Sequence, residues 1–171
     1  YVDKVKTDLN LKYYNEKKFK NIKNNYLLAS VGDVSLRVLL FEKYKKINKF
    51  ASLISPKSFV SKNTKIGKGT VISPNCFIGA NVSIGRNVFI GSNVSISHDC
   101  SIGDNSYISP SVCIGGCVKI KKNFFVGLNS TILTDISIGF SCYIGAMTIV
   151  RKSIKNNKLI VGNHRELNVQ N

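Results

Sequence analysis

Acidic residues are scarce: 9 Asp and Glu stand against 25 Lys and Arg, giving a formal net charge of +16. That excess suits polyanion binding, but its distribution does not. Fifteen of the 25 cations lie in residues 1–65, scattered among Asn and Ile, with no interleaved aromatics and no DNA- or RNA-binding motif. A background rich in Lys and Asn accounts for most of the charge, and attraction of small anionic ligands for the rest. Histidine is scarcer still. His98 and His164 are the only two, which excludes a zinc centre built from three histidines. Cys113 and Cys117 have no second close pair to complete a zinc tetrad. Cys76, Cys100 and Cys142 fall at small inward positions, and the cysteines read as packed, reduced thiols. No apolar run approaches the roughly 18 residues of a membrane span, and no charged-then-apolar leader is read at the start. A cytoplasmic address is expected. An apolar share of 43% excludes a disordered chain.

What the sequence has is a repeat. Every sixth position from Ile54 to Val150 is Ile or Val, through Val60, Ile66, Ile72 and onward without a slip. A period of six is neither the spacing of an amphipathic helix nor the alternation of a simple strand. Fixed repetition of this kind is the mark of a solenoid. Four residues after each anchor stands a second inward residue, such as Thr70, Cys76, Val82, Phe124 or Thr148. The residue after the anchor is often Gly, as at Gly79, Gly115 and Gly127, which permits close backbone packing and positive φ. Three after the anchor comes Asn or Asp, as at Asn75, Asn81, Asp99 and Asp135, residues that tolerate the left-handed conformation of a corner. Each hexapeptide is one short strand and one corner.

Ahead of the repeat, Tyr26 to Val31 reads as a buried strand. Asp33 is placed to cap a helix from Val34 to about Ile47, with Val34, Leu36, Val38, Leu39, Phe41 and Tyr44 on its apolar face. Leu9 to Phe19 admits a short helix or a loop. The repeat carries no insertion between Ile54 and Val150, so any groove must be built from coil surfaces and adjoining subunits. His164 lies in a polar tail and reads as solvated.

The hexapeptides, the run Ile96-Ser-His-Asp-Cys-Ser-Ile-Gly-Asp-Asn-Ser-Tyr-Ile-Ser-Pro, the pair Gly115-Gly116 and the run Phe125-Val-Gly-Leu-Asn-Ser together resemble a known group. They are similar to the hexapeptide-repeat sugar acetyltransferases that act on sialic acids and nucleotide-linked amino sugars. The resemblance covers roughly residues 26 to 162. It implies a mainly β chain: a left-handed parallel β-helix with three hexapeptides per coil, over 51–162, preceded by a partial α/β domain over 1–50 and followed by a tail over 163–171. The family's N-terminal domain opens on a strand and a glycine-rich loop for the nucleotide. No Gly precedes Gly32, and Tyr1-Val-Asp-Lys resembles the family's second strand, so the start of that domain is expected to be missing. The family's closing Gly-x-Pro-Ala turn is replaced by Gly162, Asn163, His164 and Arg165.

An imidazole outside the core can take a proton at neutral pH, and acetyl transfer to an amine needs such a base. The family motif around His98 implies that role, with Asp99 as its orienting carboxylate; by position alone Asp99 is equally a corner residue. With coils of about eighteen residues, Gly116 stacks over His98 and leaves room for an acyl group and a backbone N–H for the oxyanion. Phe89, Tyr107, Phe125 and Tyr143 would form an outward aromatic ladder, read as a subunit contact. By resemblance Tyr107 touches the acetyl donor near His98, while Leu128 and Ala146 meet the pantetheine arm.

The expected activity is acetyl-CoA-dependent N-acetylation of an amino sugar, a nucleotide-linked 4-amino-dideoxy sugar, by direct attack on the thioester. A homotrimer in glycan biosynthesis is implied, with acetyl-CoA as co-substrate, no metal, no nucleic acid and no membrane. O-acetylation of a sialic acid or related sugar is the alternative. A non-catalytic β-helix scaffold is the second. A γ-type carbonic anhydrase shares the β-helix but needs three zinc-binding histidines.

Overall fold

The computed structural model describes residues 26–29, 31–46, 49–163 and 165–168. The readings for Leu9 to Phe19, for the opening Tyr1 segment and for His164 lie outside these. From Leu53 to Val161 the chain is a three-sided, left-handed parallel β-helix. Face I has eight strands, from Leu53–Ile54 through Tyr107–Ile108 and Tyr143–Ile144 to Lys158–Val161 and Arg165–Asn168. Face II has six, from Phe59–Val60 to Ile149–Val150, and face III has five, from Lys65–Ile66 to Ser137–Ile138. Every strand but Arg165–Asn168 pairs in parallel with the one a coil away, as Ser95 with Cys113 and Ile96 with Ile114. The ladder closes through bonds such as Ser97 N–H to Ile114 O at 2.9 Å.

The anchors explain the cohesion. From Ile72 to Val150 every one is buried, in one continuous column with the second inward residues. Burying an Ile or Val side chain contributes about 1.5–3 kcal/mol, and repeating it each hexapeptide holds three narrow sheets that have no other core. Residues three past the anchor take positive φ, among them Asn75, Asn81, Asp99, Asn105 and Asp135. Their side chains form ladders: Asn87 Nδ2 donates to Asn105 Oδ1 at 2.8 Å, and Asn105 Nδ2 to Asn123 Oδ1 at 3.4 Å.

Of the two ends expected of the glycines after the anchors, close backbone packing is met and positive φ is not. Among the described glycines only Gly69 and Gly162 have positive φ. Gly127 shows the actual constraint: a Cβ there would lie 2.5 Å from the backbone nitrogen of Ala146 in the next coil. Gly127→Ala must therefore push two coils apart. We expect it to lower stability by about 1–3 kcal/mol. Gly32→Ala, where a Cβ meets nothing within 4 Å, should stay within about 0.5 kcal/mol. Chemical denaturation midpoints of the two variants check the pair.

At the start of the coil, β1 (Tyr26–Leu27), α1 (Val34–Tyr44) and β2 (Lys49–Phe50) form a βαβ unit with β1 and β2 parallel. Asp33 caps α1, its Oδ1 accepting from Leu36 N–H at 2.9 Å. Three expectations are corrected. The strand is two residues long, and Tyr26 is exposed while Leu27 and, beyond the strand, Ala29 pack against Phe41, Tyr44 and Phe50. The helix ends at Tyr44, and Leu39 is exposed. In its place Arg37 turns inward, 2% exposed, beside Phe41 and Tyr44. Its Nη1 donates to Asn87 O at 2.7 Å and its Nη2 to Ser106 O at 3.2 Å, and the guanidinium lies 5.6 Å from the Tyr107 ring centroid. Burial pushes its pKa down to about 10. These bonds pin α1 to the III/I corner of the helix.

Arg165–Asn168, within the expected tail, is a strand antiparallel to Lys158–Val161. Among the described residues no helix is long and apolar enough to cross a membrane.

Candidate functional site

His98 stands two residues past the face II anchor Ile96, where the chain turns toward face III. Its side chain is 60% exposed, because the corner directs this position out of the core. Asp99 follows in the left-handed conformation at φ 56°, its amide donating to Ala80 O at 2.9 Å. That turn swings its carboxylate back to the ring: His98 Nδ1 and Asp99 Oδ2 are 2.8 Å apart. Asp99 Oδ1 accepts from Asn81 Nδ2 at 3.0 Å, one coil below. The hydrogen bonds from His98 and Asn81 hold the Asp99 carboxyl below its ordinary value. A carboxylate accepting from Nδ1–H fixes the tautomer in which Nε2 carries the lone pair.

Gly116 lies one coil from His98, as the stacking arithmetic gives. A Cβ at Gly116 would sit 2.8 Å from His98 Nε2 and 2.9 Å from Cε1. The room expected for an acyl group is thus taken by the imidazole itself, and Gly116 is buried beneath it. The absent side chain lets the ring lie down against the coil. Asp99 and Gly116 therefore hold the ring from two sides.

The other residues singled out from sequence lie elsewhere. Tyr107 is on face I, which is the side opposite the II/III corner that carries His98, so one chain does not bring the two together. Its ring stacks between Phe89 and Phe125, with centroids 4.7 Å and 5.5 Å away. Phe125 stacks on Tyr143 at 4.2 Å, completing the expected ladder. Leu128 and Ala146 stand one coil apart on the I/II corner, both exposed. Met147 N–H donates to Leu128 O at 2.8 Å between their coils.

The five cysteines are free thiols. Cys76, Cys100 and Cys142 are buried and donate to Gly91 O, Gly115 O and Lys155 O at 3.0 to 3.1 Å, and burial raises each pKa. Cys113 and Cys117 do not share that packing. Cys113 is exposed and Cys117 half-buried; the strand position before an anchor and the corner position both face outward. Two concavities lie away from His98. A cleft of about 530 Å³ at the α1 junction is lined by Phe41, Lys45, Lys46, Lys49, Phe50, Lys68 and Arg86. A groove of about 460 Å³ runs along face III past Lys119, Lys121 and Lys155. Neither holds a base or nucleophile beside an orienting group, as the His98–Asp99 pair does.

Residues 81–116 match the family described as bacterial transferase hexapeptide (six repeats). No curated protein sequence matches the chain. PerB from Caulobacter crescentus, solved with CoA and GDP-perosamine, is 23% identical at a TM-score of 0.80, over 84% of this chain and 70% of its own. The acetyltransferase domain of PglB from Neisseria gonorrhoeae is 23% identical at 0.79, over 83% and 70%; it is also solved with acetyl coenzyme A. AntD, an N-acyltransferase from Bacillus cereus, solved as a variant with dTDP-4-amino-4,6-dideoxyglucose and coenzyme A, is 21% identical at 0.63, over 76% and 88%. These likenesses show that the fold is that of the left-handed β-helix acyltransferases.

Proposed function

We propose that this chain is an acetyl-CoA-dependent N-acetyltransferase for an amino sugar, carried on a nucleotide, with His98 as general base. The observation that carries the reading is the His98–Asp99 pair: an exposed imidazole, bonded through Nδ1 to a carboxylate and resting on a glycine. The acceptor amine attacks the thioester carbonyl carbon, and a C–N bond forms. His98 Nε2 takes the proton that the nitrogen sheds. The C–S bond then breaks, and the proton passes from the imidazolium to the departing thiolate of coenzyme A. The solved neighbours bind CoA and, in PerB and AntD, nucleotide-linked amino sugars, which supports both substrate classes. The positive charge of the chain favours both anions.

Leu128 and Ala146 on the I/II corner, Tyr107 on the adjoining face I and His98 on the II/III corner fit a groove between copies. We read the oligomer as a homotrimer in which a neighbouring subunit brings donor-binding residues to His98. The test is coenzyme A release by the full chain from acetyl-CoA with a panel of UDP-, GDP- and dTDP-linked amino sugars. Release that depends on one amino acceptor is expected. Release only with hydroxyl acceptors overturns N-transfer in favour of O-transfer, and none with any acceptor overturns the enzyme.

Asp99→Asn should lower acetyl transfer by at least about tenfold, since the amide no longer selects the tautomer with Nε2 as base, a change that costs about 10⁴-fold in a buried catalytic His–Asp pair. Because the folded-state pKa of Asp99 is depressed, its contribution to stability is present above the ordinary carboxylate pKa and is lost as pH falls through the lower, folded value. Carboxyl titration by NMR, wild type against His98→Ala, should show Asp99 titrating at lower pH in the wild type.

A further inference from the structure

The corner that carries the base also carries a thiol that the proposed reaction does not use. Cys117 stands one coil from Asp99, in a column whose other members are Asn63, Asn81, Asp99 and Asp135. It is left-handed at φ 60°, a conformation that costs cysteine more than Asn or Asp, whose side chains support it by local hydrogen bonds. Cys117 N–H donates to His98 O at 2.9 Å, which sets the two residues side by side in successive coils. Donor atoms of His98, Asp99 and Cys117 all lie within 4.8 Å of one another. Among the described residues the Cys117 thiol has no hydrogen-bond partner, unlike the three buried thiols.

We propose that His98, Asp99 and Cys117 form a binding site for a thiophilic divalent cation of the Zn²⁺ class. One imidazole nitrogen, one carboxylate oxygen and one thiolate make three protein ligands, with a fourth tetrahedral position left to water. The thiolate selects zinc or cadmium over magnesium or calcium. Ligands about 2.0 to 2.3 Å from a tetrahedral metal lie about 3.5 Å apart. The three side chains, all at least partly exposed on one corner, close that difference by rotation. Binding displaces the thiol proton and occupies the nitrogen lone pair of His98. If the reading of His98 as the base holds, occupancy therefore switches the enzyme off reversibly.

The site is tested apart from catalysis by titrating the reduced, metal-free full chain with Cd²⁺. The readouts are calorimetry and the ultraviolet thiolate-to-cadmium charge-transfer band. Wild type should bind one equivalent per chain with the band present. Cys117→Ser should lose the band and weaken binding by about tenfold or more, and His98→Ala should weaken it comparably. Serine suits this corner, since Ser111 and Ser141 hold the same conformation at φ 60° and 53°. Cys113→Ser, which removes the exposed thiol outside the cluster, should titrate as wild type. The site is overturned if wild type gives no stoichiometric band, if Cys117→Ser retains it, or if Cys113→Ser removes it. With acetyl-CoA and an accepted sugar, Zn²⁺ should inhibit wild type and spare Cys117→Ser. A Cys117-dependent band in a protein that acetylates nothing would keep the metal site and remove the catalytic reading. Activity with no band would do the reverse.

Discussion

His98→Ala should lower acetyl transfer by about 10²- to 10⁴-fold, the range contributed by a positioned general base, while the coil stays folded and still binds acetyl-CoA. The reason is structural independence. His98 points away from the core at a corner whose backbone bonds, His98 O with Cys117 N–H among them, need no imidazole. Removing the ring uncovers Gly116 and leaves the Asp99 carboxylate bonded to Asn81. Circular dichroism and thermal melting should match wild type, and the loss should appear in kcat with the KM for acetyl-CoA little changed. A variant that keeps full activity removes His98 from the mechanism. One that melts early would show that the ring is a structural prop.

Phe124→Ala should be the most damaging single truncation in the coil, costing about 3–5 kcal/mol. Phe124 is 1% exposed and occupies the second inward position at the III/I corner. Its neighbours in that column, one coil to either side, are Ser106 and Cys142, both small and buried. The phenyl ring fills what three small residues would leave open, and neither neighbour is large enough to close over the gap. A domain's whole margin is about 5–15 kcal/mol, so the variant should unfold at a visibly lower denaturant concentration. Isothermal unfolding by circular dichroism measures it. A change below about 1 kcal/mol, the size of a surface effect, would mean that the coils close over the gap.

The β-helix was legible because its cause is local. One buried branched residue per hexapeptide and one corner residue able to turn left are visible at every repeat, and Ile96 and Asp99 are simply two of them. The stacking of Gly116 on His98 was legible as well, since residues in step with the coil must stack, but not that the ring itself would fill the space of the missing side chain. Arg37 was not. A helical wheel sends an arginine to solvent, and only the carbonyls of Asn87 and Ser106, far along the chain, give its guanidinium a reason to turn inward. Leu39 is exposed for the same cause, since Arg37 takes the inner face. Tyr107, Leu128 and Ala146 were placed by resemblance, yet the register already separates the last two from His98: they differ from it by hexapeptides not in a multiple of three. Cys117 was within reach by the same arithmetic, one coil from Asp99, but reading the cysteines as pairs in sequence hid it.

The catalysis proposed for this corner rests on His98 removing the proton of the acceptor amine. Its sharpest test is rescue of His98→Ala by free imidazole, read as coenzyme A release from acetyl-CoA with an accepted amino sugar. The uncovered surface over Gly116 should admit the small base beside Asp99. A saturable return of activity, which the wild type does not show, is expected. An inert variant that binds both substrates as wild type does, yet stays inert at every imidazole concentration, would contradict it.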